Sequence, residues 1–369
     1  MQSSRLFNPV NIGNIKLAHR VGLSPLTRLR ACNDHVPLDI MTEYYSQRAS
    51  TPGTLLISEG TFISKVDGGV PNVPGIYDEQ QILAWRRVTD AVHRQRSHIF
   101  CQLWVPGRAA IPAIAEAEGI SIYSSSATPL EPGRAPPIEL TVKEIREKIE
   151  SHVRAANNAI NAGFDGVELH AANGYLIDQF TQDCCNKRTD NYGGSEENRS
   201  RFAVELVTAV GKAIGRQRVG IRLSPWSTYN GMGMKDPIPQ FSNLITQLSA
   251  LDTAYLHLIE ARVAGIEDAD SAPGPSKTLA FAYDLWEGPL LVAGGFTAES
   301  ARRLVDVEYP DRDIVVMFGR RFISTPDLPF RIREDIPLSE YDRSTFYAPQ
   351  LAAGYIDYPF CDEFVKHRQ

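Results

Sequence analysis

Eight short apolar segments, each separated from the next by a stretch with helical signals, constrain the fold of this 369-residue chain most strongly. We expect them to be strands, at residues 20–23, 54–58, 98–104, 166–170, 219–223, 254–259, 290–293 and 314–318. Strands that are apolar on both faces are typical of parallel sheets covered by helices. Eight of them alternating with helices favour an α/β fold, the closed (β/α)₈ or TIM barrel, over an open sheet.

Three helix starts support this alternation. Thr141 with Glu144 and Asp78 with Gln81 have the spacing of capping boxes, and Thr297 is a further N-cap. The helix after Thr141 is expected to end at Gly163. Its inward stripe is predicted to be Ile145, Ile149, Val153, Ala156 and Ile160, and that of the helix after Thr297 to be Ala301, Leu304 and Val305.

Two regions depart from the repeat. Gly13-Asn14 lies between apolar residues and predicts an N-terminal hairpin that caps the bottom of the barrel. Residues 105–140, after the third strand, are rich in Pro, Ser and Gly and are too long for an ordinary connection, so we expect an inserted lid or small subdomain. No linker divides the chain, and residues 1–369 are therefore predicted to be one domain.

Charge and cysteine content restrict the partners. A net charge of −6 and a pI of 5.8 argue against nucleic acid as the main partner. No apolar run approaches the roughly 20 residues that a membrane helix needs, and the N-terminus has no signal-peptide core. Five cysteines without a signal peptide fit reduced thiols, which predicts a cytoplasmic protein. The pair Cys184-Cys185 could be redox-active, but unpaired thiols are the favoured interpretation.

The segment from His170 to Tyr175 follows the fourth predicted strand and carries the clearest chemistry. His170 and Asn173 can both donate to one carbonyl oxygen, and Tyr175, a phenol with an ordinary pKa of about 10, can hold a proton. In a barrel of this kind the carboxyl ends of the strands carry the chemistry. Polarising a carbonyl and protonating the neighbouring carbon is what reduction of an activated alkene requires. Taken singly, His170 and Tyr175 are better explained by packing, and only the ordered set of residues favours chemistry.

A second signal follows the last two predicted strands. Gly294 and Gly295 come after the seventh strand, and Gly319 and Arg320 after the eighth, where barrels commonly bind phosphate. Glycine lets the backbone approach closely, and arginine adds a fork of donors. Tight turns and a surface ion pair of Arg320 are the alternative. No complete Rossmann fingerprint is present, because Asp236 stands where a third glycine should be, so a nicotinamide would be a visiting substrate.

Further residues that could contact a ligand lie on or just after the predicted strands: Thr27, Gly60, Gln102, Trp104 and Arg222. An arginine within a buried strand is costly unless it meets an anion. That anion could be a ligand, or Arg222 could form a structural ion pair with Glu168. Thr27 and Gln102 could equally be core polar residues with their hydrogen bonds satisfied.

These motifs together resemble the Old Yellow Enzyme family, and the resemblance covers essentially the whole chain. Within that family, the chain is similar to fungal members that include chanoclavine-I aldehyde reductases. The motifs are Ser24-Pro-Leu-Thr27-Arg28, Glu59-Gly60, Gln102-Leu-Trp104, His170-Ala-Ala-Asn173-Gly-Tyr175, Arg188-Thr-Asp-Asn-Tyr-Gly-Gly194 and Gly319-Arg320-Arg-Phe-Ile-Ser324. The resemblance implies an FMN-binding barrel that reduces α,β-unsaturated aldehydes or ketones with NADPH.

The resemblance also implies residue roles. For FMN they are Pro25 and Thr27 at flavin O4, Gly60 and Gln102 at the ring, Arg222 at N1 and the C2 carbonyl, and Gly294, Gly295, Gly319 and Arg320 at the phosphate. His170 and Asn173 would bind the substrate carbonyl, and Trp104, Phe346 and Tyr347 would line the pocket. Hydride would pass from flavin N5 to the β carbon, and Tyr175 would protonate the α carbon. No metal is expected.

Three alternatives stay open at this point. A double-bond isomerase of the same fold would return the hydride, an outcome that the presence of Tyr175 disfavours. A non-redox lyase would need a lysine at a strand end, and the sixth strand has none. A catalytically silent protein that binds flavin or another ligand is the third alternative. Substrate choice is expected to depend on residues 105–140 and 260–277, and the chain could be a monomer or a homodimer.

Overall fold

A computed structural model describes residues 4–261 and 277–368 of the chain. The strands are β1 Val10–Ile12, β2 Ile15–Leu17, β3 Val21–Leu23, β4 Leu55–Ile57, β5 Thr61–Phe62, β6 His98–Trp104, β7 Tyr123–Ser124, β8 Ile138–Glu139, β9 Gly166–Ala171, β10 Val219–Leu223, β11 Tyr255–Ile259, β12 Leu290–Ala293 and β13 Ile314–Phe318. The helices are α1 Asp39–Arg48, α2 Glu79–Arg94, α3 Pro112–Glu118, α4 Val142–Asn161, α5 Leu176–Thr181, α6 Glu196–Ile214, α7 Ile238–Ser249, α8 Ala280–Leu285, α9 Ala298–Arg303, α10 Arg320–Ser324, α11 Leu328–Arg333 and α12 Asp362–Arg368.

Eight parallel strands close into a barrel in the order β3, β4, β6, β9, β10, β11, β12, β13. Closure is complete because β3 pairs with both β4 and β13, and β4 pairs with β6. The (β/α)₈ barrel is therefore confirmed, and each of the eight predicted strands lies within one residue of its expected bounds. The two-residue strand β5, which pairs with the end of β6, was not expected.

The predicted helix caps are present, but the inward face of α4 differs from the expected stripe. Thr141 with Glu144 and Asp78 with Gln81 form reciprocal capping boxes, and Thr297 caps α9. In α4, Ile145 and Ala156 are buried as expected, whereas Ile149, Val153 and Ile160 are only partly buried; Lys148, His152, Ala155 and Ala159 are buried instead. The pattern of apolar positions does not predict this face, because the face includes Lys148, whose ammonium pairs with buried Asp67.

The N-terminal hairpin closes the bottom of the barrel, as predicted. Side chains of the hairpin and side chains that point into the lower barrel form one apolar cluster. From the hairpin it contains Val10, Ile12 and Leu17, and from the barrel Leu55, Ile57, Phe100, Ala254, Tyr255, Leu291, Ala293, Val315 and Met317. Gly13 has a left-handed φ of 53°, and a Cβ there would lie 2.0 Å from the carbonyl oxygen of Gln217. The turn therefore needs glycine, and it fits directly beneath the start of β10.

The insertion after the third barrel strand has secondary structure of its own. It contains α3 and the parallel pair β7 and β8. Arg108 donates to the carbonyl oxygens of Asn230 and Gly231, and the Ser125 hydroxyl donates to that of Gln179. The inserted subdomain is thus attached beside the loops at the carboxyl ends of β9 and β10. Its action as a lid stays a prediction, as does the assignment of residues 1–369 to one domain. Among the described residues, no helix is long and apolar enough to cross a membrane.

Candidate functional site

The upper half of the barrel interior is polar. Gln102 on β6, Glu168 and His170 on β9, Arg222 on β10 and His257 on β11 are all buried. Strand register aligns Gln102 with Glu168, and Arg222 with both His170 and His257. Because successive side chains of a strand alternate between its faces, Glu168 and His170 both point inward, one layer apart. The five side chains therefore form two polar layers above the apolar lower barrel.

Glu168 is at the centre of this network. Its carboxylate accepts hydrogen bonds from Gln102 Nε2 at 2.8 Å and from His257 Nδ1 at 2.7 Å. Burial alone would raise the pKa of Glu168, but His257, Arg222 and the hydrogen bonds hold it below its ordinary value. Burial lowers the pKa of Arg222 and Glu168 opposes that shift. Arg222 can therefore interact with the charge of Glu168, as the alternative interpretation expected, and still lie at the barrel mouth where a ligand would bind.

At this end, the buried polar atoms without a hydrogen-bond partner within residues 4–261 and 277–368 include Trp104 Nε1, His170 Nδ1, Arg222 Nε and His257 Nε2. A buried polar group without a partner costs about 1–3 kcal/mol, so a cluster of them indicates a place where a polar ligand belongs. Burial, with Arg222 and His257, holds the pKa of His170 well below its ordinary value, which keeps its ring neutral. The neutral ring of His170 can donate one hydrogen bond.

Tyr175 lies beside His170 because the chain turns sharply after β9. Asn173 and Gly174 have left-handed φ angles of 58° and 73°, and Tyr175 then caps α5. The Tyr175 ring is edge-on to both Trp104 and His170, with a centroid distance of 4.9 Å in each case. The structure therefore brings together His170, Asn173, Tyr175 and Trp104, four of the six residues to which the family resemblance assigned substrate binding.

Neighbouring segments hold this turn in place. The Asn173 N–H donates to Ser224 Oγ at 2.8 Å, and Asn230 Nδ2 donates to the Asn173 carbonyl at 2.9 Å. The Gly174 N–H donates to buried Asp178 at 2.8 Å. Ser224 and Asn230 come from the loop after β10, so two barrel segments determine the position of Asn173.

The Tyr175 hydroxyl is held in its protonated form. Burial is the main cause that raises its pKa, and the neighbouring phenols Tyr229 and Tyr347 add to the shift. The nearby Asn230 amide and the charge of Arg222 oppose it without reversing it. Tyr175 therefore carries a proton throughout the neutral range, as a general acid must.

The segments after β3 and β4 are neighbours at the barrel mouth, because these two strands are paired. Pro25 is buried and Thr27 half-buried in the segment after β3. A Cβ on Gly60 would lie 2.8 Å from the Trp104 ring, so only glycine leaves room there. The Phe62 ring stacks on that of Trp104, with centroids 5.4 Å apart. Sequence reasoning missed Phe62, because a phenylalanine in an apolar run gives no signal of its own.

The four residues assigned to phosphate binding are neighbours in space, because β12 and β13 are paired in register. Gly294 and Gly295 have φ angles of 137° and 64°, and a Cβ on Gly294 would lie 2.6 Å from that of Glu260. Gly319 is the N-cap residue of α10, which Arg320 begins. This corner therefore offers close backbone approach, N–H groups and one arginine, a set of donors that fits a phosphate.

A C-terminal segment completes the rim of the mouth. The Phe346 carbonyl accepts hydrogen bonds from buried Arg28 Nε at 3.0 Å and Arg30 Nη1 at 2.9 Å. Phe346 is buried, whereas Tyr347 is 46% exposed. Tyr347 is close enough to Tyr175 to raise its pKa. Arg28 and Arg30 thus fix the pair Phe346-Tyr347 at the mouth, beside the segment that holds Thr27.

Other residues of the site had little or no sequence signal. Asn230 lies in an irregular loop and could not have been placed from the sequence. His257 could have been found, because it lies two residues after Tyr255 in β11 and therefore on the same inward face. Of the second segment expected to influence specificity, residues 262–276 lie outside the described residues. Within the part of the chain that the structure describes, no cluster of three or more His, Cys, Asp or Glu residues could hold a metal ion.

Comparisons with known proteins agree with this geometry. The model of the NADH:flavin oxidoreductase / NADH oxidase family matches residues 5–339. A chanoclavine-I aldehyde reductase of Penicillium roqueforti is 53% identical over 364 residues, 98% of either chain. An NADP-dependent oxidoreductase of Aspergillus flavus is 50% identical over 368 residues, again 98% of either chain.

A probable inactive dehydrogenase of Claviceps purpurea is 48% identical over 370 residues, covering 99% of this chain and 97% of its own. The crystal structure of Old Yellow Enzyme from Pichia sp. AKU4542 superposes with a TM-score of 0.90 at 36% identity, covering 97% of this chain and 94% of that one. The predicted resemblance to the Old Yellow Enzyme family is thereby confirmed. Relatives described as reductases and as inactive have similar identities, so identity alone does not separate activity from its loss.

Proposed function

The chain belongs to the NADH:flavin oxidoreductase / NADH oxidase family, and from that premise we propose that it is an FMN-dependent ene-reductase that uses NADPH. Its proposed substrate is a small α,β-unsaturated aldehyde or ketone. The aldehyde reductase among its relatives supports the substrate class, and the NADP-dependent relative supports the choice of nicotinamide.

The residues present fit FMN. Unpaired Arg222 Nε and the Gln102 amide offer polar contacts to a ring edge, and Pro25, Thr27 and Gly60 follow the paired strands β3 and β4 at the same mouth. The corner of Gly294, Gly295, Gly319 and Arg320 offers donors to a phosphate. When bound there, FMN would supply the hydride chemistry, which no side chain of the protein can provide.

His170, Asn173 and Tyr175 would act on the substrate. The neutral His170 ring and the Asn173 amide would donate to the carbonyl oxygen and stabilise the negative charge that develops on it. Tyr175 would give its proton to the α carbon as general acid. Trp104 and Phe62 would exclude water from one side, and Tyr347 would border the mouth.

The single observation that carries the proposal is the position of Tyr175. Its protonated phenol contacts both His170 and Trp104, whose unpaired nitrogens lie in the same part of the mouth. An acid placed beside the carbonyl donors favours net reduction over isomerisation. It also argues against a silent protein, although one relative is described as probably inactive. The five residues of β11 include no lysine for a Schiff base, which argues against a lyase.

Anaerobic turnover with product analysis tests the proposed function. Purified protein should be yellow, NADPH should bleach it, and a cyclic enone or an enal should restore the colour and be recovered as the saturated product. Recovery of a shifted double bond without net NADPH consumption would establish the isomerase instead. A colourless protein that takes up no added FMN would refute both.

A further inference from the structure

We propose that Glu168 is a positioning residue of the flavin site, which sets both the charge and the hydrogen-bonding edge that the protein presents to the FMN ring. This inference rests on the proposed function. Glu168 is fully buried on the inward face of β9, in the layer just below His170. The Glu168 side chain faces the barrel interior. The side chains of Arg222 and Gln102 also lie there, at the mouth of the barrel.

Glu168 determines which way the Gln102 side chain presents its amide. The carboxylate can only accept hydrogen bonds, so Nε2 of Gln102 must face it, at 2.8 Å. The carbonyl oxygen of the same amide is therefore turned away from Glu168. Without a carboxylate at residue 168, nothing in this contact would distinguish the two orientations of the Gln102 amide.

Glu168 also fixes the proton of His257. Because the carboxylate can only accept, His257 Nδ1 must be the donor in its 2.7 Å contact with Glu168. Burial lowers the pKa of His257 and Arg222 contributes, although Glu168 opposes them, so the ring carries one proton. Nε2 of His257, which has no partner in the described residues, is then an acceptor.

The third consequence concerns charge. With His170 and His257 neutral, Glu168 and Arg222 are the two charged groups of this network, and they have opposite signs. A carboxylate is costly to bury, and Arg222 together with two hydrogen bonds offsets that cost. The negative charge behind Arg222 reduces the positive potential that the guanidinium offers to the ring. Glu168 should therefore make the bound FMN harder to reduce than Arg222 alone would.

The test is the two-electron midpoint potential of bound FMN, measured against reference dyes. Glu168→Gln keeps the shape and removes the charge, so the potential should become more positive. We expect the ratio of reduced to oxidised FMN at a fixed potential to rise at least tenfold, which corresponds to about 30 mV. Glu168→Asp keeps the charge but shortens the side chain, and should weaken FMN binding while moving the potential less.

Asp327→Asn is the matched control, because Asp327 is a fully buried carboxylate paired with Arg331, away from the barrel interior. It should leave the potential unchanged. If Glu168→Gln does not fold, the comparison is made between Arg222→Met and the double variant Arg222→Met with Glu168→Gln, which removes both buried charges. There the second substitution should again raise the potential.

The possible failures are distinguishable. Wild-type protein that binds no FMN would overturn the proposed function itself. Wild-type protein that binds FMN, with the same potential in Glu168→Gln as in wild type, would overturn the role of Glu168 and leave the proposed function intact. A negative shift on loss of the Glu168 charge would overturn it equally.

Discussion

The two ends of the barrel interior are built from the same eight strands and have opposite chemistry. In the lower half, side chains such as Phe100, Tyr255 and Leu291 pack against the hairpin, and the rings of Phe100 and Tyr255 lie 5.5 Å apart. In the upper half, Glu168 and Arg222 bury charge, and polar atoms without partners surround them. The lower half is packed with apolar side chains, apart from the buried Tyr255 hydroxyl, which has no hydrogen-bond partner in the described residues, whereas the upper half concentrates buried charge and polar atoms.

This difference separates stability from function. Apolar burial below stabilises the barrel, whereas the polar atoms above lower its stability and form the candidate site. Substitutions of the uncharged site residues above should therefore change activity and leave stability unchanged or improved. Substitutions below should lower stability and leave the activity of each folded molecule unchanged. The following predictions test that separation, from the largest expected effect to the smallest.

Tyr175→Phe should slow re-oxidation of the reduced protein by a cyclic enone by roughly 10²–10⁴-fold, because the α carbon loses its acid. Reduction by NADPH and the unfolding midpoint should be preserved, and nitroalkenes should suffer less, since a nitronate can be protonated in water. Stopped-flow measurement of both half-reactions gives the answer. Tyr192→Phe, whose hydroxyl bonds Glu205 outside the barrel, is the control. Equal re-oxidation rates would remove Tyr175 from the mechanism.

Phe100→Ala should lower the free energy of unfolding by about 3–5 kcal/mol, because it leaves a cavity among tightly packed side chains. Turnover per bound FMN should stay near the wild-type value. Denaturant unfolding and flavin-normalised activity are the two measurements. A large loss of turnover without a loss of stability would contradict the separation of the two ends.

His170→Ala combined with Asn173→Ala should reduce enone turnover by roughly 10²–10³-fold, because the carbonyl oxygen loses its donors. Unlike Phe100→Ala, the double variant should be at least as stable as wild type when FMN is absent, because the unpaired Nδ1 of His170 is removed. Wild-type turnover would show that the carbonyl binds elsewhere. A marked loss of stability would show that His170 belongs to the structural core.

Arg320→Ala should weaken FMN binding roughly ten- to hundredfold, since a charge-assisted hydrogen bond contributes about 1.5–3 kcal/mol. Flavin content after dialysis and fluorescence titration of the apoprotein measure this. The matched control is Arg321→Ala, because the neighbouring Arg321 pairs with exposed Glu340. Full retention of flavin by Arg320→Ala would place the phosphate elsewhere.

Asp165→Asn tests a polar contact at the lower end. The Asp165 carboxylate, just before β9, accepts hydrogen bonds from His93 Nε2 at 3.0 Å and the Ile99 N–H at 2.8 Å. Burial opposes ionisation, but these bonds and the His98 ring, whose Nδ1 lies 3.6 Å from the carboxylate, hold the pKa of Asp165 well below its ordinary value. The substitution should cost about 1–3 kcal/mol at pH 7.

The sign of the pH dependence follows from the direction of that shift. A depressed pKa of Asp165 in the folded state stabilises the protein above the pKa of the unfolded chain, about 3.9, and this stabilisation is lost as the pH falls further. The difference in unfolding free energy between wild type and Asp165→Asn should therefore shrink below about pH 4. A difference that is constant with pH would assign the effect to packing rather than to charge.

Local patterns were sufficient for most of the fold and for the location of the site. The eight strands, the helix caps at Thr141, Asp78 and Thr297, and the turn at Gly13 all depend on residues a few positions apart. The segment from His170 to Tyr175 could be placed at a strand end for the same reason, since the carboxyl ends of parallel strands meet at one edge.

The contacts that define the site could not be read from such patterns. Glu168 meets Gln102 and His257 across 66 and 89 residues of chain, and these pairings exist only because the barrel closes in one register. The face of α4 that includes Lys148 depends on a distant partner in the same way. The sequence alone determined which segments become strands and which end of them carries chemistry, because periodicity and capping are local. Only the tertiary structure decided which buried atoms find partners and which are left for a ligand, because hydrogen bonding inside a closed barrel depends on neighbours far away in the chain.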